Sequence, residues 1–214
     1  MKKAEVTKLL NSGFKKMLDE NNFKKRKYGY IKKSSDGIYY EFGFSTKSYD
    51  ICFPTTFYYG IGLNSVKEIL KLILPEYFEM PENEYPTIFS MGQKKLYTYN
   101  NYPLSQYEIY TEADVLETVN EISEYFINTG LPYLKSISSI NKLEQITNAE
   151  LNPGKKNSGL ILAKLVNNPE YETLKNKYRE ILKEWPDWDK QELEKVIMFL
   201  DSHSQEALLK IAEG

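Results

Sequence analysis

Apolar and polar residues alternate in two long runs within the first third of the chain. In Ile38-Tyr39-Tyr40-Glu41-Phe42-Gly43-Phe44-Ser45, residues Ile38, Tyr40, Phe42 and Phe44 fall on one face of a strand. Tyr39, Glu41, Gly43 and Ser45 fall on the other, because strand side chains point alternately to opposite faces. Tyr49, Ile51, Phe53, Thr55, Phe57 and Tyr59 repeat the alternation, and Tyr28 and Tyr30 mark a shorter run before both. Ser34-Ser35-Asp36-Gly37 and Ser45-Thr46-Lys47-Ser48 have the composition of turns. Three neighbouring runs with short connectors predict an antiparallel meander with one aromatic face, which another layer must cover.

Around this meander the period changes to that of helices. Val6, Leu9, Leu10, Phe14, Met17 and Leu18 predict a helix from Lys3 to about Asn21, with Gly13 inside it as a close packing contact. Ser65-Val66-Lys67-Glu68 has the form of a capping box before Val66, Ile69, Leu70 and Ile73, and Pro75 stops that helix. Glu76 to Glu84 reads as an acidic loop. Thr87–Ser90, Lys95–Tyr99 and Gln106–Tyr110 read as short strands, with a turn at Met91-Gly92-Gln93 and a loop from Asn100 to Ser105. Thr111 and Asp114 cap a helix with Leu116, Val119, Ile122 and Phe126 inside, ended by Gly130 and Pro132. A short helix covers Ser139–Ile146, and Asn152 to Gly159 reads as a linker. Beyond it, Asn168-Pro169 opens a helix with Tyr171, Leu174, Tyr178, Ile181 and Trp185 on one stripe. Asp187 opens another with Leu193, Val196, Ile197 and Leu200 inside, and a last short helix carries Ala207, Leu208 and Ile211. The fold class expected is α+β: a curved antiparallel meander sheet flanked by helices. The domains expected are an α+β domain over 1–150 and a helical C-terminal subdomain over 151–214 packing on it or on a second copy.

Composition narrows the setting. The 214 residues are 41% hydrophobic, enough for a core, and 27% charged, with a mean hydropathy of −0.54. The longest apolar cluster, Ile69 to Leu74, is broken by Lys71 and far short of the roughly 18 residues of a membrane span. No apolar leader segment is visible and Cys52 is the single cysteine, which together fit a reducing cytoplasm. The net charge of −2 is unevenly spread: residues 1–33 carry 11 Lys/Arg against 3 Asp/Glu, and residues 34–150 carry 7 against 16. A basic start of this kind meets an anionic partner or the protein's own acidic middle.

Several short motifs suggest a family. The N-terminal helix is followed by Asn22-Phe23-Lys24-Lys25, by Tyr28-Gly29-Tyr30-Ile31-Lys32-Lys33 and by the aromatic strand pair. Later come Glu121–Phe126 and Gly130-Leu131-Pro132-Tyr133-Leu134. Over roughly residues 3–147 this resembles a bacterial family known only as a domain of unknown function, built from a helix, a "Gly-Phe-Lys-Lys" step and a small curved sheet closed by a "Leu-Pro-Phe-Leu" element. Asn22 stands where that family tends to have glycine. The resemblance implies a fold and a bacterial source, and brings no catalytic residues with it.

The inventory of reactive side chains excludes several chemistries. One histidine and one cysteine cannot supply the roughly four ligands of a Cys/His zinc site. A nucleophilic pair would need Cys52 with His203. Cys52 reads as a small buried or half-buried hydrophobe, His203 as a solvated cap residue, and there is no Gly-x-Ser-x-Gly elbow. Gly154-Lys155-Lys156-Asn157-Ser158-Gly159 lacks the spacing of a phosphate loop and reads as a flexible linker. Gly60-Ile61-Gly62 reads as a tight turn. Glu76, Glu79, Glu82 and Glu84, and separately Glu117, Glu121 and Glu124, supply carboxylates for a cation or a carboxylate-based active site; solvated acidic surface is the competing reading.

Two features carry more. Lys24, Lys25, Arg26 and Lys27 precede Tyr28, Tyr30, Lys32 and Lys33. Basic residues interleaved with aromatics on a sheet suit phosphate neutralisation and base stacking; an edge strand whose lysines block aggregation is the reading that the negative charge of the whole chain favours. The chain also has 18 Tyr and 10 Phe. Tyr39 and Tyr58, opposite the main aromatic stripes, are candidates either for an exposed partner-binding patch or for a second buried layer. The candidate binding residues are therefore Tyr28, Tyr30, Tyr39, Tyr58, Lys24, Lys25, Arg26 and Lys27. The sequence implies no cofactor and no metal. The function expected is a non-enzymatic protein-interaction module, of immunity or regulatory type. Nucleic-acid binding through Lys24–Lys33 and a carboxylate-based enzyme are the alternatives.

Overall fold

The computed structural model describes residues 1–79, 86–92, 96–99 and 102–213, with side chains described except at 92, 96–99, 102–105 and 213. It is an α+β fold. Strands β1 (Lys24–Arg26), β2 (Gly29–Lys33), β3 (Ile38–Thr46), β4 (Phe53–Leu63) and β5 (Phe89–Gly92) lie in sheet order 1-2-3-4-5. A short strand from Tyr107 to Ile109 also pairs antiparallel with the start of β4, Phe53 opposite Ile109. Between β5 and that strand, β6 (Leu96–Tyr99) and β7 (Tyr102–Ser105) form a separate antiparallel hairpin, with Tyr99 opposite Tyr102; the Tyr107–Ile109 strand is β8.

The two long alternating runs are β3 and β4, with displaced ends. The second run was expected from Tyr49. It starts at Phe53, because Lys47 N–H bonds Pro54 O at 2.9 Å and Tyr49 N–H bonds Cys52 O at 3.0 Å, which turns the chain across Asp50 and Ile51. Tyr49 and Ile51 are left exposed. At its other end β4 runs on through Gly60-Ile61-Gly62, so the tight turn expected there is strand. β1 and β7 occupy stretches read as a basic surface and as a loop. Met91 and Gly92, expected in a turn, end β5, while Gln93, Lys95 and Asn100 lie outside the described residues.

Contacts divide the chain into two compact units: 1–33, 40–60 and 90–136 form the first, and 34–39, 61–89 and 137–214 the second. In the first, helix α1 (Lys3–Glu20) buries Val6, Leu10, Phe14, Met17 and Leu18. It ends at Asn22, whose φ of 62° is left-handed. Asn22 N–H bonds Asp19 O at 3.0 Å and Phe23 N–H bonds Leu18 O at 2.9 Å, so the last carbonyls of the helix are satisfied. Asparagine is the side chain that tolerates this conformation best after glycine. Helix α2 (Asn64–Ile73) belongs to the second unit; α3 (Glu112–Tyr125) returns to the first and is capped as expected, Asp114 N–H bonding Thr111 Oγ1 and Thr111 N–H bonding Asp114 Oδ2. Its buried face is Val115, Thr118, Val119 and Ile122; Leu116, expected inside, is 64% exposed. Gly130 and Pro132 do not end the helix. A wide π-turn over Phe126–Gly130 leads directly into α4 (Leu131–Ser136), and Pro132 sits in the first turn of α4, where a missing N–H costs little. Between α1 and α3, Gly13 leaves space for Val119: a Cβ there would sit 2.6 Å from Val119 Cγ2.

In the second unit α2 begins one residue before the predicted Ser65 cap and has no side-chain cap; instead Asn64 N–H bonds Gly37 O at 2.8 Å. It is followed by a 3-10 turn at Pro75–Glu79, and the acidic residues Glu82 and Glu84 lie outside the described residues. Helices α5 (Ile140–Glu150), α6 (Lys156–Leu165), α7 (Tyr171–Ile181), α8 (Asp187–Asp201) and α9 (Gln205–Glu213) follow. The expected linker at Asn152–Gly159 is a 3-10 turn and the first half of α6, a helix buried on nearly every side. Its polar start is paired off internally: Lys156, 5% exposed, donates to Asp189 Oδ1 at 2.8 Å and lies 3.5 Å from Glu192. Tyr178 hydroxyl donates to Asn148 Oδ1, and the Asn148 and Asn168 amides donate to the buried Glu144. The amphipathic stripe of α7 is real at Tyr171, Leu174 and Tyr178, whereas Trp185 is exposed.

Three substitutions test this packing. Gly13→Ala gains up to about 1 kcal/mol of helix propensity but overpacks Val119 at a cost of roughly 1–3 kcal/mol, so a net loss near 1 kcal/mol is expected. In urea unfolding, Gly13→Ala with Val119→Ala should lose less than the sum of the single losses; strict additivity would show no steric limit at residue 13. Lys156→Ala leaves Asp189 buried without a counter-charge and is expected to cost about 3–5 kcal/mol; a loss below about 1 kcal/mol would contradict the buried pair.

Candidate functional site

The predicted binding residues separate into two groups. Lys24, Lys25 and Arg26 form β1, the terminal strand of the sheet, and all three are exposed. Lys27 and Tyr28 follow in the connection to β2, where Tyr28 is 48% exposed and the Lys27 ammonium lies 5.2 Å from its ring centre. The register of β1 on β2 sets Lys24 opposite Ile31, Lys25 opposite Tyr30 and Arg26 opposite Gly29. Lys25 and Tyr30 therefore share one face of the sheet, and Lys24 and Arg26 project to the other.

The other tyrosines are not a surface patch. Tyr30 is buried, its ring against Phe42 and its hydroxyl donating to Asn11 Oδ1 at 2.6 Å. Burial, and then the nearby Asp19 carboxylate, push its hydroxyl pKa up. Tyr39, a candidate either for an exposed patch or for a second buried layer, is 1% exposed: its ring lies across Gly62 and its hydroxyl donates to Pro86 O at 2.6 Å. Tyr58 is half-buried across Gly43, and its hydroxyl donates to Tyr28 O at 3.1 Å. Its pKa is pushed up to about 12 by burial and then by Glu41. In both cases the partner glycine has no side chain to hold the ring off the sheet, so the tyrosine folds down over the neighbouring strand.

What the structure adds is a groove of about 830 Å³ along one flank of α1, beside β1 and β2. Lys25 and Tyr30 reach it from the sheet, and Lys3, Lys8, Asn11 and Lys15 line it from the helix, with Asp19 at its end. Asp19 is engaged by Lys15. Lys3, Lys8 and Lys25 have no carboxylate partner among the described residues. Beneath them a hydrogen-bonded floor runs from Tyr30 hydroxyl to Asn11, whose amide donates to Thr7 O at 2.7 Å. Reading the sequence for apolar periodicity passes over the helix half of this groove. The available signal was polar: Lys8, Asn11 and Lys15 follow helical spacing on a single face, within a segment of strong positive charge.

The remaining candidates resolve into structural roles. Lys155 donates to Thr87 O and Lys156 to Asp189, so neither projects from a phosphate-binding loop. Glu121 accepts from Tyr107 hydroxyl at 2.9 Å, and Glu76 pairs with Lys195 at 3.3 Å. Among the described residues no three His, Cys, Asp or Glu side chains gather as metal ligands would. Cys52 is half-buried, and burial and Glu108 push its thiol pKa up. His203 stacks on Phe199 at 4.2 Å, with Nδ1 2.8 Å from Phe199 O. No described helix is long and apolar enough to cross a membrane. Comparison with protein-family models, with curated proteins and with solved structures finds no match for the chain.

The state of Tyr58 is testable by pH. A hydroxyl whose folded pKa is raised above its ordinary 10.0 stabilises the fold fully below pH 10 and loses that contribution as pH rises towards about 12. Thermal melting should therefore fall less between pH 9 and pH 12 in Tyr58→Phe than in the parent protein. An equal fall in both would show that this hydroxyl is not protected by the fold.

Proposed function

We propose that this chain is a non-enzymatic interaction protein, of the immunity or regulatory kind, that holds another protein against the lysine-lined flank of α1 and β1. The observation that supports it best is the groove itself. Three ammonium groups with no carboxylate partner among the described residues surround one concave surface on a molecule whose overall charge is negative. Uncompensated like charges in one place repel one another, and an anionic partner relieves that repulsion on binding. The lining offers donors for holding a partner, and its single carboxylate is already engaged by Lys15. Nucleic-acid binding is the second reading, favoured by the exposed Lys24, Arg26, Lys27 and Tyr28.

Photocrosslinking tests the reading. Ser12, exposed on the groove, is replaced by p-benzoylphenylalanine in the full chain in cells, and Glu206 on α9 serves as the control position. A discrete protein adduct is expected from position 12 and not from 206, and it should disappear when Lys8 and Lys25 are both changed to Glu. Adducts to nucleic acid alone, or none that depend on the lysines, would overturn the proposal.

A further inference from the structure

The shape and charge of the groove also specify what fits it. We propose that its occupant is an extended acidic segment of a protein partner, laid beside β1 with carboxylates at every second position. This rests on the groove being the recognition surface.

Three observations carry it. The first is length. Lys8 and Lys15 stand along one helix flank and Lys3 lines the groove from the first turn of the same helix, and at about 1.5 Å per residue the three span roughly 18 Å. A strand rising about 3.3 Å per residue covers that wall with five or six residues. The second is the edge. β1 is the terminal strand of the sheet, paired to β2, and a terminal strand is the natural template for an added strand. The lysines on that edge keep away a second copy of the same edge, whose charge is alike, and attract an acidic one. A strand added beside β1 continues its alternation, so its even or odd residues fall on the face that Lys25 and Tyr30 occupy. That face is where Lys3, Lys8 and Lys25 wait, and carboxylates at alternate positions meet all of them. The third is the absence of a stacking face in the groove among the described residues. Its lining ring, Tyr30, is 7% exposed and tied by its hydroxyl to Asn11. Single-stranded nucleic acid gains about 1–3 kcal/mol per base from such stacking, and here it would gain charge neutralisation only.

Fluorescence polarisation on the full chain reads the result. The probes are a peptide of alternating Glu and Thr, about ten residues long, a peptide of the same composition with its Glu grouped at one end, and an oligothymidylate of similar charge. The alternating peptide should bind, and at least about tenfold more tightly than the grouped one. Lys8→Glu with Lys25→Glu should weaken it by at least about tenfold, as should Lys3→Glu with Lys8→Glu if the first pair perturbs folding. Equal binding of the two peptides would show that the groove senses charge without register, and overturn the inference. So would indifference to both lysine pairs, or tighter binding of the oligothymidylate lost on the same substitutions. A lysine-dependent protein adduct at position 12 alongside failure of the alternating peptide would remove this inference and leave the interaction reading standing.

Discussion

The ring of Phe42 is the point on which the first unit depends. It is fully buried and meets Phe14 of α1 at 5.1 Å, Phe126 at 5.1 Å, Tyr59 at 5.6 Å and Tyr30 at 6.2 Å. Helix, π-turn and two neighbouring strands thus converge on one side chain of β3. Aromatic rings bury large areas and prefer the tilted and edge-on geometries found here, so the cluster fixes orientation as well as proximity. Once Phe14 is seated on Phe42, the rotation of α1 about its axis is settled. Val6, Leu10, Met17 and Leu18 go inward with it, and the flank of Lys8, Asn11 and Lys15 faces the groove beside β1. The candidate site is a consequence of core packing, because the same rotation that buries the apolar stripe aligns the lysines.

The opposite face of the central strands is organised differently. Tyr58 lies over Gly43, and Tyr39 lies over Gly62. Each glycine removes the side chain that would otherwise stand in the way, and each tyrosine returns the apolar cover that the glycine lacks. The hydroxyls then find carbonyls, Tyr28 O for one and Pro86 O for the other. This satisfies the polar end of each ring in place and leaves neither as a free donor for a partner. The tyrosine excess of the chain is in this respect an architectural feature, and the recognition chemistry rests with the lysines.

Charge is handled in opposite ways in the two units. In the helical unit, the buried pair of Lys156 with Asp189 ties α6 to α8 and burial makes it costly to break, while Lys175 of α7 reaches Asp201 at the end of α8. Around the groove beside α1, Lys3, Lys8 and Lys25 are left without such partners among the described residues. Exposed ammonium groups are well hydrated and cost little when alone, so the fold has no need of a counter-charge there. A surface left in that condition is available for an external anion.

The sequence by itself determined the α+β class, the aromatic strand pair, the capped helix after Thr111 and the apolar faces of α1 and α8. These follow from periodicity and local hydrogen bonding, which act within a few residues. It also singled out the basic stretch of β1. The helix half of the groove was present as polar spacing, but periodicity read for apolar residues assigns such positions to solvent. Only the tertiary structure decided that Tyr39 is buried, that Asn152–Gly159 is largely helix and that α3 passes through Gly130 into α4. In each case the deciding partner is distant in sequence or set by packing: Gly62 and Pro86 for Tyr39, Asp189 for Lys156, and Tyr59 against Phe126 at 4.9 Å for the π-turn. A side chain's own neighbours set its conformational preference, whereas burial depends on what arrives from elsewhere in the chain.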